Sequence, residues 1–143
     1  MLLLILSCRG VQTQEPLVVR ESYHDLSEWE VLQMAIVMTE SKGNPDAVGK
    51  TDDKGIMQIT PIYVAEVNRL SGKGYSHDDA FSIEKSLEMF DIIQSRHNPE
   101  MDIDKAISLH NRSKAYSYRV KQNMEIVRRM EAVRKAMYDE RRH

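Results

Sequence analysis

One glutamate is placed where an acid could do chemistry. Glu40 ends an apolar stretch and is followed by a polar loop, residues 41–54, after which the chain turns apolar again. If its side chain points inward, it faces Ile36 and its neighbours Val37 and Met38. Apolar surroundings disfavour the charged carboxylate, so the group would keep the proton that a general acid must donate. The alternative is a glutamate that simply ends an exposed helix, and spacing alone leaves both open.

A helix must carry Glu40 to its place. Ser27 followed by Glu30 predicts a capping box at the start of that helix, because each side chain can bond to the other residue's backbone N–H. Gly43 offers a left-handed end, and Pro45 prevents the helix from continuing. The inward face is predicted to carry Trp29, Leu32, Ala35, Ile36, Met38 and Thr39.

The rest of the chain also predicts helices. Pro61 suits the first turn of a second helix. Residues 79–96 repeat the helical period, residues 103–113 predict a short buried helix, and residues 115–140 predict a long charged one. Strands are hard to place anywhere. With 143 residues and 41% hydrophobic content, we expect a mainly α fold, a single domain of several short helices at residues 23–143 that closes with the long helix.

Three segments together match the signature of a known family. The matching residues are Glu40-Ser41, Asn44-Pro45 and Ala47, then Gly55-Ile56-Met57-Gln58-Ile59 and Pro61. Their order resembles the pattern of the soluble lytic transglycosylases, E-S-x-x-N-P-x-A followed by G-L-M-Q-I-x-P, with Ile56 in place of leucine. The segment "AISLHNRS" at 106–113 is similar to the family's A-x-x-x-Y-N-x-G motif and keeps Asn111. Tyr118 falls where such proteins commonly place a tyrosine on the closing helix.

The resemblance implies a lysozyme-like fold with a catalytic cleft, and cleavage of the β-1,4 bond between N-acetylmuramic acid and N-acetylglucosamine. Glu40 would protonate the leaving oxygen and then, as carboxylate, take the proton of the sugar's own 6-hydroxyl, which closes a 1,6-anhydro ring. One carboxyl group suffices because the nucleophile is tethered. The substrate-binding residues implied by the resemblance are Ser41, Gly55, Met57, Gln58, His110, Asn111 and Tyr118.

Departures from the family pattern keep two alternatives open. His110 replaces the motif's tyrosine, Ser113 its glycine, and Gly49 stands where the family commonly has a serine, for which Thr51 is a substitute. An imidazole can still donate to a carboxylate. A muramidase would share the acid but use a second carboxylate to activate water, and the loop offers Asp46, Asp52 and Asp53. A peptidoglycan-binding or assembly protein without activity is the other alternative.

Composition speaks against several other classes of function. The 20 basic and 22 acidic residues give a formal net charge of −2, so no nucleic-acid-binding face is expected. Cys8 is the one cysteine and the five histidines are scattered, so neither a metal site nor a cofactor is predicted. The segment "GNPDAVGKT" has five residues between Gly43 and Gly49, where a P-loop has four. The partner expected is the glycan strand of peptidoglycan, bound by a monomer.

The beginning of the chain resembles an export signal. The apolar run "MLLLILSC" leads to Cys8, similar to the lipobox at which bacterial lipoproteins are cleaved and lipidated, although it has no basic residue before it and is short. Residues 1–22 are therefore interpreted as a lipoprotein signal and linker. We expect the periplasm or cell envelope as the location, with membrane anchoring through lipidated Cys8 or a phage-associated route of export.

Overall fold

A computed structural model describes residues 23–142 of the chain. The lipobox-like segment with Cys8 lies outside the described residues, as does the linker. The helices are α1 (Glu28–Ser41), α2 (Pro61–Ser71), a 3-10 turn (His77–Phe81), α3 (Ile83–His97), α4 (Ile103–His110) and α5 (Lys114–Glu140). Within residues 23–142 only isolated β-bridges occur, and the mainly α prediction is confirmed. None of the helices described there is both long and apolar enough to cross a bilayer.

Local signals set the ends of these helices. The predicted capping box of α1 is present: Ser27 accepts from the Glu30 N–H, and Glu30 accepts from the Ser27 N–H at 2.7 Å. The left-handed residue that ends α1 is Lys42, one residue before the predicted Gly43, although both have positive φ. Pro61 starts α2 as predicted. The predicted helix at 79–96 is a 3-10 turn followed by α3, because the extended Ser82 separates them and caps α3.

The core lies mainly between α1, α3 and α5. Its largest fully buried side chain is Phe90 of α3, with Trp29 of α1 against it at 5.7 Å between ring centroids. Four buried residues of α5 recur at helical spacing: Tyr116, Val120, Met124 and Val127. Next to Glu40, the Asn123 amide donates to the Thr39 hydroxyl at 2.8 Å and links α5 to α1. The end of α1 is therefore held firmly against α5.

The second half of α5 extends past the core. Its buried residues stop at Val127, and Met130, Val133 and Met137 are exposed. The chain before α1 lies against this part of the helix, where Glu131 accepts from the Tyr23 hydroxyl at 2.6 Å. The predicted closing helix is therefore packed in its first half and holds the start of the domain in its second.

Candidate active site

Glu40 lies in the last turn of α1, and its side chain is 18% exposed. The carboxylate is thus largely withdrawn from water while one side stays accessible. The Nε2 atom of His110 lies 3.4 Å from its Oε1. The end of α1 and the end of α4 therefore meet at this carboxylate.

The surroundings of His110 fix which of its nitrogens donates. Nε2 lies 3.1 Å from the carbonyl oxygen of Met57, which can only accept, so Nε2 carries the proton and donates it to Met57. Nδ1 is buried and has no hydrogen-bond partner among the described residues. A proton there would be an unsatisfied buried donor, which costs about 1–3 kcal/mol. These contacts favour a neutral imidazole that donates from Nε2.

Aromatic rings enclose the imidazole. Tyr63 and Phe90 meet it edge-on, at 5.9 and 6.0 Å between ring centroids, and Tyr116 stacks on it at 6.2 Å. The imidazole is only 5% exposed as a result. Packing from three helices thus holds His110 in the orientation that reaches Glu40.

Tyr116, rather than Tyr118, faces the carboxylate. Burial and then the neighbouring negative charge of Glu40 raise the pKa of Tyr116 above its usual value. Its buried hydroxyl is outside hydrogen-bonding geometry with every described residue. Tyr118, which the family pattern favoured, is 65% exposed, and its hydroxyl accepts from Gln122 at 3.0 Å. Tyr116 begins the buried series of α5, and that periodicity was the signal in the sequence that could have selected it.

Ser41 and Gly55 brace the loop that follows α1. The Ser41 hydroxyl donates to the Ile56 carbonyl at 2.8 Å. Gly55 has φ +74°, and a Cβ placed there would lie 1.7 Å from the carbonyl oxygen of Ala80. Gly55 was predicted to let the backbone approach the substrate. In the structure it lets the loop approach the 3-10 turn, and both residues serve to hold the loop in shape.

Met57 and Gln58 also face the protein. Met57 was predicted to lie along the cleft, but its side chain is fully buried in the core, so only its carbonyl reaches the site, through His110. The Gln58 amide donates to the carbonyls of Gly55 at 3.0 Å and Ala47 at 3.2 Å. Its nitrogen is therefore occupied within the loop, and contact of Gln58 with substrate stays a prediction.

The loop fills the place where the family has a serine. A Cβ on Gly49 would lie 2.7 Å from Oε1 of Gln58 and 2.9 Å from Oδ2 of Asp53. Thr51, the substitute considered for that serine, donates to Asp53 at 2.8 Å. The absence of a side chain at Gly49 thus leaves room for the Gln58 side chain, which folds into the loop.

Asn111 is exposed, and its Oδ1 accepts from the Ser113 N–H at 2.9 Å. No contact of Asn111 with Glu40 supports its predicted role, which stays a prediction.

The sequence of the chain matches the model of a known protein family. Residues 19–109, more than half of the chain, match the model described as Transglycosylase SLT domain. The chain belongs to this family. The matched span holds Glu40 and its loop, and His110 and Tyr116 follow it in the sequence. No curated protein and no solved structure matches the chain.

Two of the three loop carboxylates of this SLT domain have partners other than Glu40. Asp52 lies 3.6 Å from Nδ1 of His77, Asp53 accepts from Thr51, and Asp46 is exposed. In residues 23–142 no hydrogen bond or ion pair joins any of the three to Glu40. No group of three or more His, Cys, Asp or Glu side chains in that range could hold a metal.

Two surface depressions of about 500 and 520 Å³ lie on the molecule, and Glu40 lines neither. One follows α3 past Leu87, Asp91 and Ile92, and the other lies between α2 and α3. The candidate site is instead the exposed side of Glu40, bordered by the loop after α1 and by the junction of α4 and α5.

Proposed function

We propose that this SLT domain is a peptidoglycan lytic transglycosylase with Glu40 as its one acid and base. Family membership supports action on the glycosidic bonds of peptidoglycan. The observation that carries the finer proposal is a largely buried carboxylate with Nε2 of His110 at 3.4 Å and the buried Tyr116 nearby. That set of groups suits a reaction in which one residue first gives and then takes the same proton.

The proton balance follows from these groups. Glu40, as the acid, protonates the oxygen that links C1 of N-acetylmuramic acid to the next sugar, and this C–O bond breaks. The 6-hydroxyl of the same muramic acid then forms a bond to C1 and gives its proton to the Glu40 carboxylate. The acid is thereby restored and no water enters. Tethering of the nucleophile can supply about 7–11 kcal/mol of the lowered barrier.

His110 and Tyr116 support the carboxylate between these two steps. Nε2 of His110 can donate to the carboxylate that forms when the proton leaves, and hydrogen bonds to charged groups contribute about 1.5–3 kcal/mol. Burial and the nearby charge of Glu40 raise the pKa of Tyr116, and its hydroxyl can donate to the carboxylate when substrate excludes water. We propose that His110 thus takes the place of the family's tyrosine.

The proposal includes export, because peptidoglycan lies outside the cytoplasmic membrane. The lipobox-like segment at Cys8 is the feature of the sequence that supports it. Metabolic labelling with a lipid precursor, in the native chain and in Cys8→Ala, tests the anchoring.

Digestion of peptidoglycan in water enriched in oxygen-18 tests the reaction type. A transglycosylase releases products that lack one water relative to a reducing sugar and that contain no solvent oxygen. A muramidase would release reducing ends that carry one heavy oxygen each. Release of no product while the polymer is still bound would favour an inactive wall-binding protein.

A further inference from the structure

A basic segment borders the candidate site. Between residues 111 and 124 the sequence has four cations, Arg112, Lys114, Arg119 and Lys121, and no acidic residue, in a chain whose net charge is −2. Lys121 pairs with Asp104 at 2.6 Å. The other three are exposed, and none has a carboxylate partner among the described residues. We call Arg112, Lys114 and Arg119 the basic edge.

Arg112 and Lys114 lie close in sequence to the two residues that meet Glu40, and Arg119 lies close to one of them in space. Arg112 follows His110 by two residues, and Lys114, the first residue of α5, precedes Tyr116 by two. Arg119 lies on the next turn, with its guanidinium carbon 5.9 Å from the centroid of the Tyr116 ring. Arg119 therefore places one of these charges against a residue that borders the candidate acid, and Arg112 follows the end of α4 that carries His110.

The loop on the other side of Glu40 carries no such excess. Residues 41–55 contain Lys42, Lys50 and Lys54 together with Asp46, Asp52 and Asp53, so their charges cancel. Lys54 is moreover bound to Asp78 at 2.8 Å. An anionic group on a bound polymer would thus be drawn to the α4–α5 side.

The peptide stems of peptidoglycan carry carboxylates near the bond that Glu40 would protonate. Its peptide stem starts from the lactyl group of muramic acid, on the same sugar ring whose C1–O bond Glu40 would protonate. That lactyl carboxyl is an amide when the stem is present, so the negative charges lie on the stem. The geometry points to the basic edge as a binding site for the carboxylates of the peptide stem, so that the enzyme prefers strands that carry stems. This inference rests on the proposed substrate.

Binding to carboxyl-blocked polymer tests the inference without any cleavage. All proteins carry Glu40→Gln so that the polymer stays intact, and they are sedimented with native sacculi or with sacculi whose carboxyl groups have been converted to neutral amides. We expect Arg112→Gln/Lys114→Gln/Arg119→Gln to bind native sacculi about tenfold more weakly, since each exposed charge contact is worth only a small amount. On amidated sacculi the parent and this variant should bind equally.

Two control variants distinguish the effect of charge at the basic edge from the effects of net charge and of misfolding. Arg96→Gln/Arg129→Gln/Arg141→Gln removes three exposed cations elsewhere and should bind native sacculi like the parent. Arg112→Lys/Arg119→Lys keeps the charge and should also bind like the parent. Equal binding of native sacculi by parent and basic-edge variant would overturn the inference. A loss that persists on amidated sacculi would do the same, because it would point to another anionic polymer.

Failure of the proposed reaction gives a different result. If the active chain released no anhydro products but the binding pattern held, the transglycosylase proposal would fall and the basic edge would stand as a wall-binding site.

Discussion

At the scale of single residues, the site depends on how Glu40 is surrounded. The carboxylate has Nε2 of His110 at 3.4 Å and the buried Tyr116 nearby. Both contacts come from segments far along the chain. The local sequence around Glu40 therefore supplies the acid, and two other helices supply its environment.

Replacing each tyrosine of α5 by phenylalanine tests which one serves the acid. We expect Tyr116→Phe to lower kcat about tenfold, because the hydroxyl that faces the Glu40 carboxylate is removed. Its unfolding free energy should not fall, because that hydroxyl is buried without a hydrogen bond. Tyr118→Phe should change neither quantity. Kinetics on sacculi and urea denaturation measure both, and a larger kcat loss in Tyr118→Phe would contradict the assignment.

Much of the site could be predicted from the sequence, because its loop motif is local. Glu40 and Ser41 end α1, the Gly55 turn follows in the next loop, and the Ser41 hydroxyl joins the two through the Ile56 carbonyl. The sequence could not tell that Met57 points into the core or that Gln58 folds back on the loop, since both depend on contacts with distant elements. The choice between Tyr116 and Tyr118 depends in the same way on the rotation of α5.

At the scale of elements, the loop after α1 is held by close backbone packing. Its two β-bridges, Val48 with Lys54 and Lys54 with Ile59, fold it back on itself. Gly55 then brings it against Ala80 of the 3-10 turn. Such packing leaves no room for a side chain, so we expect this glycine to matter for stability.

Alanine at Gly55 tests that packing, with alanine at Gly74 as the control. Both glycines have nearly the same φ, +74° and +72°, but a Cβ on Gly74 meets nothing within 4 Å. We expect Gly74→Ala to cost about 1–2 kcal/mol from its left-handed backbone alone. Gly55→Ala should cost roughly 1–3 kcal/mol more, because the backbone must shift. Equal losses in urea denaturation would mean that the loop has room to move.

A second element-level contact fastens the segment before α1 to α5. Glu131 accepts from the Tyr23 hydroxyl and from Arg134. The Arg134 hydrogen bond first, and then that of Tyr23, lowers the pKa of Glu131 from 4.5 to about 2. The folded state therefore binds this proton more weakly than the unfolded chain does.

The stability from this contact should depend on pH in a defined window. It is fully present above about pH 4.5 and is lost as the pH falls toward about 2. We expect Glu131→Gln to reduce the steepness of the melting temperature against pH between these values, relative to the native chain. Glu140→Gln, exposed on the same helix, should leave it unchanged. The same steepness in all three proteins would show that Glu131 does not titrate as described.

At the scale of the whole molecule, helix α5 has three structural roles. Its first turn brings Tyr116 to Glu40 and carries part of the basic edge, its middle completes the core, and its second half holds the start of the domain. Helical periodicity predicted that α5 exists and is long. It could not predict where the buried face ends, because that depends on how far α1 reaches along it.

The site combines residues of the matched span with residues that follow it. Residues 19–109 carry the acid and its loop, whereas the groups that surround the acid follow from His110 onward. An open site beside an acid suits a long polymer, which must lie across the surface. The mainly α fold was predictable because every helix has its own periodicity and caps, but the meeting of α1, α4 and α5 is a tertiary result.

The most direct test of the central claim is mass spectrometry of the products that the native chain and Glu40→Gln release from sacculi. We expect 1,6-anhydro ends from the native chain and a rate lower by about 100- to 10,000-fold in Glu40→Gln, because proton transfer is lost. Glu84→Gln, an exposed glutamate on α3, serves as the matched control and should retain the native rate. Anhydro products released at the native rate by Glu40→Gln would contradict the account.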